Sequence, residues 1–222
     1  MSSTAPPPAR RTGRPRNAEA DRAILDATRA ALVELGWGKL TLGDVATRAG
    51  VAKTTLYRRW AGKNELVVDA VAALFDEHLE LPDRGSLQAD IEGVVLQFAA
   101  LLERPETKTA LMAVVAESTR DDALRDRIRS AIVDRQKSLV LLGRARAQAR
   151  GELPYEEDTA AAHRNADLIF DVIAGAVVHR TLVSAKPVDP EWASGLAGLL
   201  VGGLASMAGP GGQTSGHGPA SA

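Results

Sequence analysis

Four side chains close together suit one kind of chemistry, the recognition of a polyanion. They are Lys53, Thr54, Tyr57 and Arg58. Leu56 and Trp60 lie four residues apart, hence on one face of a helix, so the other four project from the opposite side. Short polar or basic groups near a helix N-terminus reach base edges in a DNA major groove, which is where Lys53 and Thr54 fall. Tyr57, Arg58 and the upstream Thr41 suit phosphate oxygens. Lys63 stands where the next helix begins, and the free N–H groups of such a terminus also attract phosphate.

The elements that must hold these residues are legible in Thr41–Trp60, TLGDVATRAGVAKTTLYRRW. Thr41 is a good N-cap, and Asp44 follows at the spacing of a capping box. The helix runs through Val45, Ala46 and Ala49 to Gly50, which supplies a left-handed turn. A second short helix is expected from Lys53 to Trp60. Two short helices joined by a tight turn containing glycine are the sequence form of a helix-turn-helix. Ahead of them Ile24, Leu25, Thr28, Ala31, Leu32 and Leu35 mark one face of a longer helix, with Gly36 as its stop.

Charge agrees with this placement. Residues 1–63 carry twelve Lys and Arg against five Asp and Glu, net +7, whereas the remainder carries fifteen against twenty-three, net −8. A basic first quarter on an acidic body suggests a polyanion-binding module joined to a part with another task. Arg10, Arg11, Arg14 and Arg16 surround a Gly13-Arg14-Pro15 core that resembles an AT-hook. Pro15 would there hold the chain extended in a narrow A·T minor groove.

The segment from about Asn17 to Leu74 resembles the DNA-binding domain of TetR-type transcriptional regulators. The likeness rests on the long first helix, TLGDVATRAGV, TTLYRRW and the following Lys63-x-x-Leu66. It implies phosphate contacts for Thr41, Tyr57 and Lys63, and a groove-facing role for Lys53, Thr54 and Thr55. Two departures stand out. Ala52 occupies the position where the family usually has a capping serine, and Trp60 replaces the usual phenylalanine.

Helical periodicity continues to Met207, broken at Pro82 and Gly85, Pro105, Asp121-Asp122, Gly151 and Pro154, then Pro187 and Pro190. No stretch alternates as a strand would. The expected architecture is all-α, about nine helices, in four parts. These are a disordered basic arm over 1–16, a three-helix DNA-binding domain over 17–64, a helical regulatory and dimerisation domain over 65–207, and a disordered Gly/Pro/Ser tail over 208–222. In the family the second domain holds the dimer interface and usually a small-molecule pocket. Ile169, Val172, Ile173, Ala176 and Val183 on one helix, with Leu196, Leu199, Leu200 and Leu204 on the next, form apolar faces suited to a four-helix homodimer. Phe75, Phe98, Met112, Val115, Phe170, His78, Gln97, Glu117 and His179 are candidates for a pocket, without an assignment of effector contacts.

Other classes are disfavoured. The chain has no cysteine, which removes disulfides and thiolate chemistry. It carries no nucleophile elbow, phosphate loop, zinc-protease helix or dinucleotide fingerprint, so neither an enzyme nor a cofactor is expected. Glu156, Glu157, Asp158 and His163 sit near a helix start, where acidic residues serve the helix dipole, and no metal is expected. Arg125–Arg150 reads as a solvated helix face. No window is apolar enough for a membrane span, and the N-terminus lacks a signal peptide, which fits the cytoplasm. The expected partners are double-stranded DNA, a second copy of the chain and a possible small-molecule effector. The expected function is a DNA-binding regulator, most simply a repressor on a palindromic operator. The competing readings are an architectural DNA binder without sequence preference and a helical protein–protein adaptor.

Overall fold

A computed structural model describes residues 15–155 and 160–207. Among them all regular structure is helical. The segments are α1 (Pro15–Lys39), α2 (Leu42–Ala49), α3 (Lys53–Tyr57), α4 (Lys63–His78), α5 (Leu87–Glu103), α6 (Pro105–Ser118), α7 (Asp122–Ile128), α8 (Asp134–Ala149), α9 (Ala160–Val178) and α10 (Pro190–Met207). A π-turn over Arg129–Val133 joins α7 to α8 without a break, so the ten segments make nine rods. A second π-turn, His179–Val183, extends α9.

The start of α1 corrects one expectation. Pro15 does not hold an extended arm but is the first residue of the helix, and Arg16 lies in the first turn. A proline ring fixes φ near the helical value, and its missing N–H would have had no intrahelical acceptor at that position. Arg14, the tail, and the acidic run Glu156–Asp158 lie outside the described residues. At Gly36 the backbone turns left-handed (φ 71°), and α1 kinks there before its last residues.

Ile24, Thr28, Ala31 and Leu32 turn inward from α1, each fully buried, against Val45 of α2 and Leu56 of α3. Helix α4 belongs to both halves of the molecule. Its Leu66 and Val67 close the small N-terminal core, while Phe75 stacks at a tilt on Phe98 of α5, ring centroids 5.8 Å apart. Helix α1 also packs along α6, and α10 lies along α5. Local signals start the helices where the breakers predict. Ser86 Oγ accepts from Ala89 N–H at 3.2 Å, Asp121 Oδ1 accepts from Leu124 N–H at 3.0 Å, and Pro105 opens α6.

Candidate nucleic-acid interface and ligand cavity

The turn that presents α3 is built from three local devices. Thr41 and Asp44 form a reciprocal capping box: Asp44 N–H donates to Thr41 Oγ1, and Thr41 N–H donates to Asp44 Oδ2, both at 3.2 Å. At the other end of α2, Gly50 adopts φ 65°, ψ 31°, and Val51 N–H donates back to Ala46 O at 3.0 Å. That six-residue closure needs a left-handed residue, which glycine supplies without steric cost. Helix α3 then starts at Lys53 with no side-chain cap from Ala52.

Regular helix in α3 ends at Tyr57, three residues earlier than expected. A helical turn carries the chain on to Trp60, whose N–H still donates to Leu56 O at 2.9 Å. Leu56 is fully buried and Trp60 nearly so, and Trp60 Nε1–H donates to Asp69 Oδ2 of α4 at 2.9 Å. Lys53, Thr54, Tyr57 and Arg58 are exposed and Thr55 is half-buried, so the first four share the solvent face. The Lys53 side chain lies against α2, where a Cβ on Gly43 would meet its Cε and Nζ at 3.1 Å. Arg59 pairs with Asp21 of α1, and Arg48 of α2 pairs with Glu34 of α1 at 2.7 Å. The hydrogen bond from Arg48 holds the Glu34 carboxyl below its ordinary range.

Lys63, at the first position of α4, also makes contacts within the protein. Its Nζ donates to Trp37 O at 2.9 Å and stands 5.0 Å from the centre of the Trp37 ring. A carbonyl near the C-terminal end of α1, together with an aromatic face, attracts the ammonium. Lys63 therefore ties the start of α4 to the end of α1.

The larger half holds a cavity of about 260 Å³ between α4, α5, α6, α7, α8, α9 and α10. Phe75, Phe98, Val115 and Phe170 line it as candidates from the sequence, whereas Met112 is 43% exposed and outside it. His78, Gln97, Glu117 and His179 do not line it either. Gln97 Oε1 instead accepts from Glu80 N–H at 3.1 Å, and His78 Nε2 lies 2.6 Å from Arg104 Nη1. The polar residues that do line it are Asp90, Gln136 and Arg144. Periodicity hid them because each sits on a helix otherwise read as solvated or apolar. Arg144 is 8% exposed rather than part of a solvated face, and burial pulls its pKa down. Asp90 is fully buried, and its Oδ2 accepts from Arg150 Nη2 at 2.9 Å.

The apolar faces of α9 and α10 divide differently from the sequence expectation. Ile169 is buried and lines the cavity, as do Ile173 and Leu204. Leu196 and Leu200 are half-buried against the core. The solvent-facing stripe is instead Leu168 (51% exposed), Val172 and Val183 (68%) on α9, with half-buried Ala176 among them, and Leu199 (78%) on α10. Gly175, Gly195 and Gly202 are also exposed, with open space around them. The 3.6-residue repeat marks both faces of so apolar a helix, so the stripe cannot be separated from the core by spacing alone.

The fold and the exposed helix define a helix-turn-helix protein with a helical second domain. Residues 24–70 match the model of bacterial regulatory proteins of the tetR family, and residues 81–200 match that of the tetracyclin repressor-like C-terminal domain. The chain is 30% identical over 173 residues to the DNA-binding transcriptional repressor TetR of Mycobacteroides abscessus, a match covering 75% of this chain and 84% of that protein. It is 27% identical over 182 residues to the HTH-type transcriptional regulator YdeS of Bacillus subtilis, covering 81% and 87%. The crystal structure of the TetR family transcription regulator SCO0332 superposes with a TM-score of 0.67 at 26% identity, covering 84% of this chain and 98% of that one. The chain belongs to the TetR family: it is a DNA-binding transcriptional regulator, and the family and these relatives are regulators, not enzymes. Among the described residues no helix is long and apolar enough to cross a membrane.

Proposed function

We propose that the protein is a homodimeric repressor that binds a near-palindromic operator in the cytoplasm and releases it when a small molecule fills the cavity. The observation that carries the DNA part is the division of α3, with Leu56 and Trp60 anchored in the core and Lys53, Thr54, Tyr57 and Arg58 exposed. Lys53 and Thr54 meet base edges; Thr41, Tyr57 and Arg58 meet phosphates. Arg14 and Arg16 add basic charge to the DNA-binding end of the chain. The exposed stripe of Leu168, Val172, Val183 and Leu199 supports pairing through α9 and α10, which supplies the two-fold axis of a palindrome. Half-sites about one helical turn apart (~34–36 Å) make binding sensitive to small changes in the separation of the two α3 helices.

The test is titration of the protein against its own upstream DNA and an unrelated duplex of equal length, at two salt concentrations. A hundredfold preference for one segment, with a protected palindrome, is expected. In Arg58→Ala binding weakens on both duplexes alike, and the salt slope falls by about one. Equal, steeply salt-dependent binding to both duplexes would replace this reading with the architectural one.

A further inference from the structure

This inference rests on the ligand-responsive reading above and concerns what the cavity accepts. Its walls are almost wholly apolar, with Phe75, Phe98, Ile132 and Phe170 among them. Of the polar residues at its edge, Asp90 is already satisfied: Oδ1 accepts from Arg84 N–H at 2.6 Å, and Oδ2 accepts from Arg150. Gln136 differs. It is 7% exposed, lines the cavity, and its Oε1 is buried with no hydrogen-bond partner. Among the described residues it is the one cavity-lining side chain with such an atom.

A buried amide oxygen left without a donor destabilises the folded protein, and rotation of the amide about its broad terminal torsion would turn it toward the cavity that Gln136 lines, where a ligand donor would meet it. We infer that the cavity binds an uncharged, mainly apolar molecule about the size of two fused rings, with a single hydroxyl against the Gln136 amide. Size follows from volume: an apolar cavity of about 150 Å³ holds one benzene, and this one measures about 260 Å³. Neutrality follows from the walls. A ligand carboxylate would find few polar groups to replace its hydration, and burying an ion there costs far more than burying a hydroxyl. A hydroxyl both donates and accepts, which suits an amide.

The probes are 1-naphthol, naphthalene and 1-naphthoate, titrated calorimetrically into the full-length protein near neutral pH, with operator affinity measured in parallel. The expected result is at least tenfold tighter binding of 1-naphthol than of naphthalene, with 1-naphthoate weakest. In Gln136→Leu the two uncharged probes bind within about threefold of each other, since the hydrogen-bonding amide is gone. The melting temperature of the ligand-free variant rises by ~2–4 °C, because an orphaned acceptor has been removed. Gln136→Met, unbranched like glutamine, carries the same comparison should the leucine variant fold poorly.

Equal binding of 1-naphthol and naphthalene by the unsubstituted protein, tightest binding of 1-naphthoate, or a hydroxyl preference that survives in both variants overturns this inference and leaves the ligand cavity standing. No binding of any probe overturns the ligand-responsive reading along with it. Hydroxyl-selective binding that leaves operator affinity unchanged supports the inference and overturns the responsive reading alone.

Discussion

Ala52 starts the recognition helix with extended backbone (φ −68°, ψ 141°) and no side chain able to accept from the first free N–H groups. The geometry of an N-cap is therefore present and only the oxygen is missing. Ala52→Ser restores it, and such a cap contributes ~1 kcal/mol, or ~2–4 °C in melting temperature for a chain of this size. Calorimetry of the two proteins checks this; an unchanged or lower melting temperature would show that α3 is held by Leu56 and Trp60 alone. Those two residues, with the Thr41–Asp44 box and Gly50, were legible in sequence because each acts within a few residues of itself. Lys63 was not: its acceptor, Trp37 O, lies 26 positions away.

At the scale of elements, the joint between α8 and α5 is electrostatic. Glu152 Oε2 accepts from Leu87 N–H at 2.6 Å, capping α5 from a distance of 65 residues, and its other oxygen accepts from Arg150. The Leu87 N–H first, and Arg150 second, hold the Glu152 carboxyl below its ordinary value of 4.5. A carboxyl whose pKa is lower in the folded chain than in the unfolded one binds its proton more readily when unfolded. Its stabilisation is therefore complete above about pH 4.5 and fades as pH falls through the lower folded value. Glu152→Gln should thus flatten the loss of stability on acidification and lower stability at neutral pH. Urea midpoints across pH 3–7 read both effects, and an unchanged acid limb would assign the loss to other carboxylates. A run of arginines from 125 to 150 looks solvated in sequence because pattern alone does not reveal that Asp90, across the fold, is waiting for one of them.

At the scale of the molecule, two features bear on DNA binding. Asp69 of α4 accepts from Trp60 through Oδ2 and from Arg127 Nη2 of α7 through Oδ1 at 2.5 Å, and α7 continues into the cavity wall at Ile128 and Ile132. The Arg127–Asp69 pair is partly exposed, at 40% and 30%, so its contribution is modest, ~0.5–1 kcal/mol. Arg127→Ala should speed hydrogen exchange at the amides of Lys53–Trp60 by a few-fold, although the substitution lies in the other domain. Unchanged exchange there would remove this contact from the coupling between cavity and DNA. The second feature is the exposed stripe on α9 and α10. Leu199→Glu places a charge at its most exposed leucine, and is expected to give a monomer by sedimentation with operator affinity at least tenfold lower. A dimer that survives would move the interface elsewhere.

The sequence by itself determined the helical class, the breakers between rods, the helix-turn-helix and the polar side of α3, because caps, turns and periodicity act over a handful of residues. Tertiary structure decided which faces of α9 and α10 are core, sending Ile169 and Ile173 to the cavity and leaving Leu168, Val172 and Leu199 outside. It also decided that Asp90, Gln136 and Arg144 share a buried pocket edge. In both cases the deciding quantity is which distant surfaces meet, and burial against a partner helix is a property of the packed chain that local spacing does not encode.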